Sequence, residues 1–133
     1  MTFKKTLLLA LISGIISGLI CLMYSIIYSD SFFVDFSSIL NPVGMFISST
    51  IGTLLMSIGY FFILKWNKAK LIPIANIFYS ALSFGSIIGV LAFKLPLDME
   101  FPEMFPGLAI PMHFFPALSF LSLAPFFLKY SNK

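Results

Sequence analysis

Four long apolar runs, separated by short polar interruptions, make up almost all of this 133-residue chain. They cover about residues 6–28, 42–64, 71–93 and 107–128. Each is close to the ~20 residues that a helix rising about 1.5 Å per residue needs to cross a hydrocarbon core about 30 Å thick. The pattern predicts an all-α, four-helix transmembrane bundle that forms a single integral domain over residues 1–133.

Small residues recur inside the runs at four-residue spacing. Gly14 and Gly18 lie in the first, Gly44, Ser48 and Gly52 in the second, and Ala81, Gly85 and Gly89 in the third. Such stripes let helices approach closely, so that van der Waals packing replaces the hydrophobic drive that lipid removes. Gly14, Gly18, Gly44, Gly52, Gly85 and Gly89 are therefore the expected helix-packing positions. Ser49, Thr53 and Ser57 form a second stripe, whose hydroxyls are expected to bond back to carbonyls one turn earlier.

The interruptions carry their own signals. Ser29–Asn41 places Phe32, Phe33, Phe36, Ile39 and Leu40 on one helical face, which suits a short interfacial helix capped by Asp30 or Ser31. Asn41 followed by Pro42 reads as the cap and first position of the second helix. Lys65–Lys70 reads as a tight polar hairpin with Trp66 as an interfacial anchor. Lys94–Pro106 holds Asp98, Glu100 and Glu103 among prolines that exclude a continuous helix.

Composition fixes the class. The chain is 59% hydrophobic and 10% charged, against about 25% charged residues in soluble proteins. The net charge of +3 comes from lysines at the ends of the runs, a topology signal rather than a phosphate-tracking patch, so no nucleic-acid partner is expected. Lys4, Lys5, Lys65, Lys68, Lys70, Lys129 and Lys133 fall on one side of the membrane, and Lys94 with all five acids on the other. The positive-inside bias predicts that both termini are cytoplasmic. The first run is longer than the 7–15 apolar residues of a signal peptide, so the first span is expected to be retained. Cys21 is the sole cysteine, which rules out an intrachain disulfide.

Candidate chemistry concentrates in the fourth run, which holds the sole histidine, His113, among prolines. With the acidic end outside, His113 is expected near the outer end of that span, beneath Asp98, Glu100 and Glu103. Those four residues are the candidate ligand-binding or loop-anchoring site; a metal is conceivable there on ligand type alone, but the loop enforces no geometry. Proton coupling through His113 lacks a relay, since the first three spans contain no acid, arginine or second histidine. Pro116 frees the carbonyl of Met112 and Pro125 that of Leu121, each kinking the helix. A C-x-x-C, a P-loop and a hydrolase elbow are all absent. No catalytic, cofactor-binding or metal-binding residue, and no cofactor, is assigned.

The run NPVGMFISSTIGTLLMSIGYFFILKWNKAK, with ALSFGS in the third span and LAIPMHFFPALSF in the fourth, resembles an uncharacterised family of small four-helix bacterial membrane proteins, a domain of unknown function. The resemblance covers roughly residues 5–128 and implies the fold and a bacterial inner (plasma) membrane, with no activity attached. The expected function is a non-enzymatic subunit or accessory protein whose partners are the lipid bilayer and another membrane protein or its own copy. The alternatives are a transporter or binder of a small lipophilic or cationic ligand at the mouth around His113, Tyr24 and Tyr28, and an enzyme using His113 as base.

Overall fold

A computed structural model describes residues 3–128, which form helices and turns with no strand among them. Four helical stretches are long and apolar enough to cross a membrane: Phe3–Phe32, Pro42–Lys65, Ala69–Ala92 and Pro102–Phe127. The first is one helix, α1 (Phe3–Phe32), and the second is α2 (Pro42–Lys65). The third is split into α3 (Ile72–Gly85) and α4 (Ile87–Ala92), and the fourth into α5 (Phe105–Met112) and α6 (Phe115–Phe127). Lys129 and Lys133, which enter the orientation expected from charge, lie outside the described residues.

The tightest seam joins α1 to α2, and the small-residue stripe explains it. A Cβ on Gly14 would stand 2.8 Å from the Cα of Thr50, and one on Gly18 would run into the ring of Phe46. The helices therefore meet almost backbone to backbone, and hydroxyls lace the contact. Thr53 donates to the Ala10 carbonyl at 2.8 Å, Ser57 to that of Thr6, and Ser17 reaches Ser49 at 3.3 Å. The Thr53 and Ser57 hydroxyls thus cross to the neighbouring helix rather than serving only their own preceding turn, because close approach brings α1 carbonyls within reach.

The other expected packing glycines divide. Gly52 meets Cβ of Pro116 at 3.6 Å, an ordinary contact, while Gly44 faces its own cap residue, Asn41, whose Oδ1 accepts from the Gly44 N–H at 2.7 Å. Gly85 and Gly89 have nothing within 4 Å of where a Cβ would stand. The two glycines of the expected third stripe therefore meet no neighbour among the described residues, and span three contacts span four through Phe84 and Val90 instead. Conversely, Gly59 and Gly107 make close approaches that spacing did not single out: the hydroxyl of Tyr79 occupies the Cβ position of one, and that of Tyr28 stands 2.5 Å from that of the other.

The first interruption is not an independent interfacial helix. No glycine or proline stops α1 at Tyr28, so Asp30 and Ser31 fall in its last turn instead of capping a new helix. Phe33 then turns the chain at φ 55°. Val34 and Phe36 tuck inward, with Phe36 edge-on to Phe105 at 5.4 Å between ring centroids. The loop thereby closes the end of the bundle that carries the acidic residues, called the acidic end below; the opposite end carries the lysine hairpin. Asp35 stands outside the spans, where the hydroxyl and then the backbone N–H of Ser37 hold its carboxyl below the usual range.

Two apolar clusters form the core. Cys21, Met45, Phe105, Leu108 and Met112 belong to the one toward the acidic end, and Leu9, Met56, Tyr60, Tyr79 and Phe120 to the one toward the lysine end. The break in span four falls between them.

Candidate functional site

Proline decides where span four breaks. Pro116 has no N–H to give the Met112 carbonyl, and its ring crowds that carbonyl, so the helix cannot pass straight through. The N–H groups of His113 and Phe114 turn instead to Ile110 and Pro111, at 3.1 and 3.0 Å. These are i→i+3 bonds, and α6 restarts with Pro116 in its first turn. The kink expected from Pro116 is thus a full interruption, set at His113–Phe114.

A broken helix inside a membrane strands carbonyls, and each stranded group must find a donor. Pro111 leaves Gly107 without its intrahelical partner, and the Tyr24 hydroxyl donates to that carbonyl at 2.9 Å. The Ala109 carbonyl has lost the His113 N–H and takes Nδ1–H of the same residue at 2.8 Å. Cys21 Sγ stands 4.0 Å from the Met112 carbonyl, and Ser83 donates to that of His113 at 2.7 Å. Tyr28 secures the start of α5 through the Met104 carbonyl at 2.8 Å. Donors from spans one and three therefore hold the break open as a built feature.

The imidazole is fixed by the same arrangement. A carbonyl only accepts, so Nδ1 is the donor in this bond and Nε2 points away from it. His113 sits near the midpoint of the Pro102–Phe127 stretch, deeper than the position near the outer end expected from a span starting at residue 107. The reason is the short 3₁₀ turn at Pro102–Met104, which adds helix before the histidine.

That depth separates His113 from the acids. The eight residues of α5, Phe105–Met112, put about 12 Å of helix ahead of His113. Asp98 and Glu100 remain on exposed loop and Glu103 on the exposed 3₁₀ turn, and Glu100 shares a shallow recess with Asp30 and Asp35. No cluster of three or more His, Cys, Asp or Glu residues able to hold a metal ion occurs among the described residues. The expected grouping of His113 with the loop acids is not assembled. The loop is anchored by Tyr28 and by Phe36 on Phe105 instead.

Hollows meet at the break. One of about 350 Å³ descends from Leu40 and Asn41 past Ser48 and Ser49 to Cys21 and His113. Another, of about 780 Å³, is a lateral groove between α2 and α3 with the break of span four as its floor. Its α2 wall is the helical stripe Gly52, Leu55, Gly59, Phe62 and Trp66, and its α3 wall includes Ala75, Phe78, Leu82 and Ser83. His113 and Pro116 line both hollows, so they form the partition between a partly polar cavity and an apolar groove.

Spacing alone pointed to His113 and Pro116 but not to Ser83, Gly59 or Cys21 as parts of this arrangement. For Tyr24 and Tyr28 the signal was present: two tyrosines one turn apart on α1 present hydroxyls to one neighbouring helix. Tyr24→Phe is expected to cost about 1–2 kcal/mol, because the Gly107 carbonyl then has no donor. Tyr28→Phe should cost less, and equilibrium unfolding in mild detergent separates the two. No protein-family model, curated protein or solved structure matches the chain.

Proposed function

We propose that this chain is a non-enzymatic integral membrane protein that holds an apolar or amphiphilic small molecule at the break in span four. The observation that carries this reading is that the 350 Å³ cavity and the 780 Å³ groove share His113 and Pro116. Both volumes fall in the range of about 300–1,000 Å³ usual for small-molecule sites. Among the described residues the imidazole hydrogen-bonds a backbone carbonyl and no titratable side chain, which supports a binding role over a base in catalysis. A bacterial inner membrane, with the lysine hairpin in the cytoplasm, is the setting that charge and family resemblance favour.

Photo-crosslinking in reconstituted membranes tests the reading, using a phospholipid with a diazirine on its acyl chain. Adducts are expected to concentrate on Leu55, Phe62, Phe78 and Leu82. An even spread over lipid-facing α1 positions such as Leu8, Ile15 and Ile27 would contradict it.

A role as subunit of a membrane complex, or as a homo-oligomer, is the second reading. It is favoured by span three, where Gly85 and Gly89 are open and Ile77, Ile88 and Leu91 are exposed. Under this reading, cysteines placed along that face crosslink to a neighbouring chain.

A further inference from the structure

The chemistry of the groove's occupant can be read from its dimensions and from the charge at its mouth. Along α2 the lining runs from Gly52 to Trp66, about 20 Å of helix. The groove is apolar over that length and can receive a flexible hydrocarbon chain. Its length exceeds the ~15 Å depth of one leaflet's hydrocarbon, half of a core about 30 Å thick.

The mouth is chemically distinct from the walls. At the lysine end the groove opens beside Trp66, the chain's sole tryptophan, directly before the hairpin that carries Lys68 and Lys70. Lys65 directly precedes Trp66, with its Nζ 5.8 Å from the centre of the Phe61 ring. All five acids lie at the opposite end. A chain lying in the groove thus brings its headgroup into a cluster of cations with no carboxylate in the same turn.

From these two features we infer that the groove holds one acyl chain of an anionic phospholipid drawn from the leaflet on the lysine side, with its phosphate at Lys65, Lys68 and Lys70. This rests on the ligand-holding role proposed above and names the ligand's class. The chain lies along the α2 and α3 walls with its end toward His113, and the lysines select the headgroup. A zwitterionic lipid fits the same walls but brings its own cation to the lysine cluster.

Trp66 makes the inference measurable, since its fluorescence reports from the groove mouth alone. The full-length protein is reconstituted into phosphatidylcholine vesicles containing a graded fraction of chain-brominated phosphatidylglycerol or, in parallel, chain-brominated phosphatidylcholine. Half-quenching of Trp66 is expected at a several-fold lower fraction of the anionic lipid, at about five-fold per engaged lysine. The preference should vanish in the K65Q/K68Q/K70Q variant. It should also vanish for the unaltered protein in about 1 M salt, where the Debye length is about 3 Å, which keeps the test valid if the triple variant inserts poorly. Ala75→Phe, which fills the groove near its mouth, should weaken quenching by both lipids. Equal quenching by the two lipids, still weakened by Ala75→Phe, would overturn the anionic assignment and leave the groove as a chain-binding site. So would a preference that survives both the lysine changes and salt. Quenching that Ala75→Phe does not alter would come from lipid at the outer surface and would overturn the occupied groove as well.

Discussion

Gly14→Leu is expected to destabilise the protein by about 3 kcal/mol or prevent its folding, whereas Gly85→Leu should leave stability unchanged or raise it by up to about 1 kcal/mol. The two glycines look alike in sequence, each in a small-residue stripe on an apolar helix. They differ in what stands opposite. At Gly14 the atom 2.8 Å from an added Cβ is the Cα of Thr50, and backbone cannot swing aside as a side chain can. Relief requires α1 and α2 to separate, which also breaks the bonds from Thr53 to Ala10 and from Ser57 to Thr6. At Gly85 nothing lies within 4 Å, and replacing glycine in a helix regains up to about 1 kcal/mol of propensity. Unfolding of both variants in mild detergent, read by circular dichroism, measures the contrast.

Pro116→Ala should stabilise the chain by about 1–3 kcal/mol while removing its capacity to hold a ligand. Proline in a helix interior costs about 3 kcal/mol through the lost hydrogen bond and the ring clash. Part of that cost is already offset here, because Cys21 and Ser83 contact carbonyls at the break. With alanine at 116, an N–H returns to the Met112 carbonyl and α5 can run on into α6. The His113 N–H then reclaims the Ala109 carbonyl, displacing the imidazole Nδ1 that uses it now. The partition between cavity and groove closes as the helix straightens. A higher melting temperature together with weaker quenching of Trp66 by brominated chains is the expected pair of results. A gain in stability with undiminished quenching would separate the break from binding.

How much of this was legible in the residues follows from where each feature gets its cause. The spans are properties of composition and length, so the apolar runs located all four to within a few residues at most ends. The α1–α2 seam is local as well: Gly14, Gly18 and the hydroxyl stripe of α2 encode a close approach whatever else surrounds them. Gly85 and Gly89 carry the same signal, but packing requires a second surface, and none stands within 4 Å of where their Cβ atoms would be. The depth of His113 depended on a 3₁₀ turn at Pro102–Met104, in a stretch whose prolines read as surface loop. The grouping of His113 with Asp98, Glu100 and Glu103 failed with it, since eight residues of helix intervene. The hydroxyls that secure the break could not be chosen in advance. Ser83 is one of several serines in its span, and only the fold brings it to the His113 carbonyl.

Native mass spectrometry of the protein released from mild detergent tests most directly whether the break in span four is a ligand-holding site. Each chain is expected to carry one amphiphile-sized adduct that is absent from Pro116→Ala. A bare chain, or the same adducts on both proteins, would contradict that account.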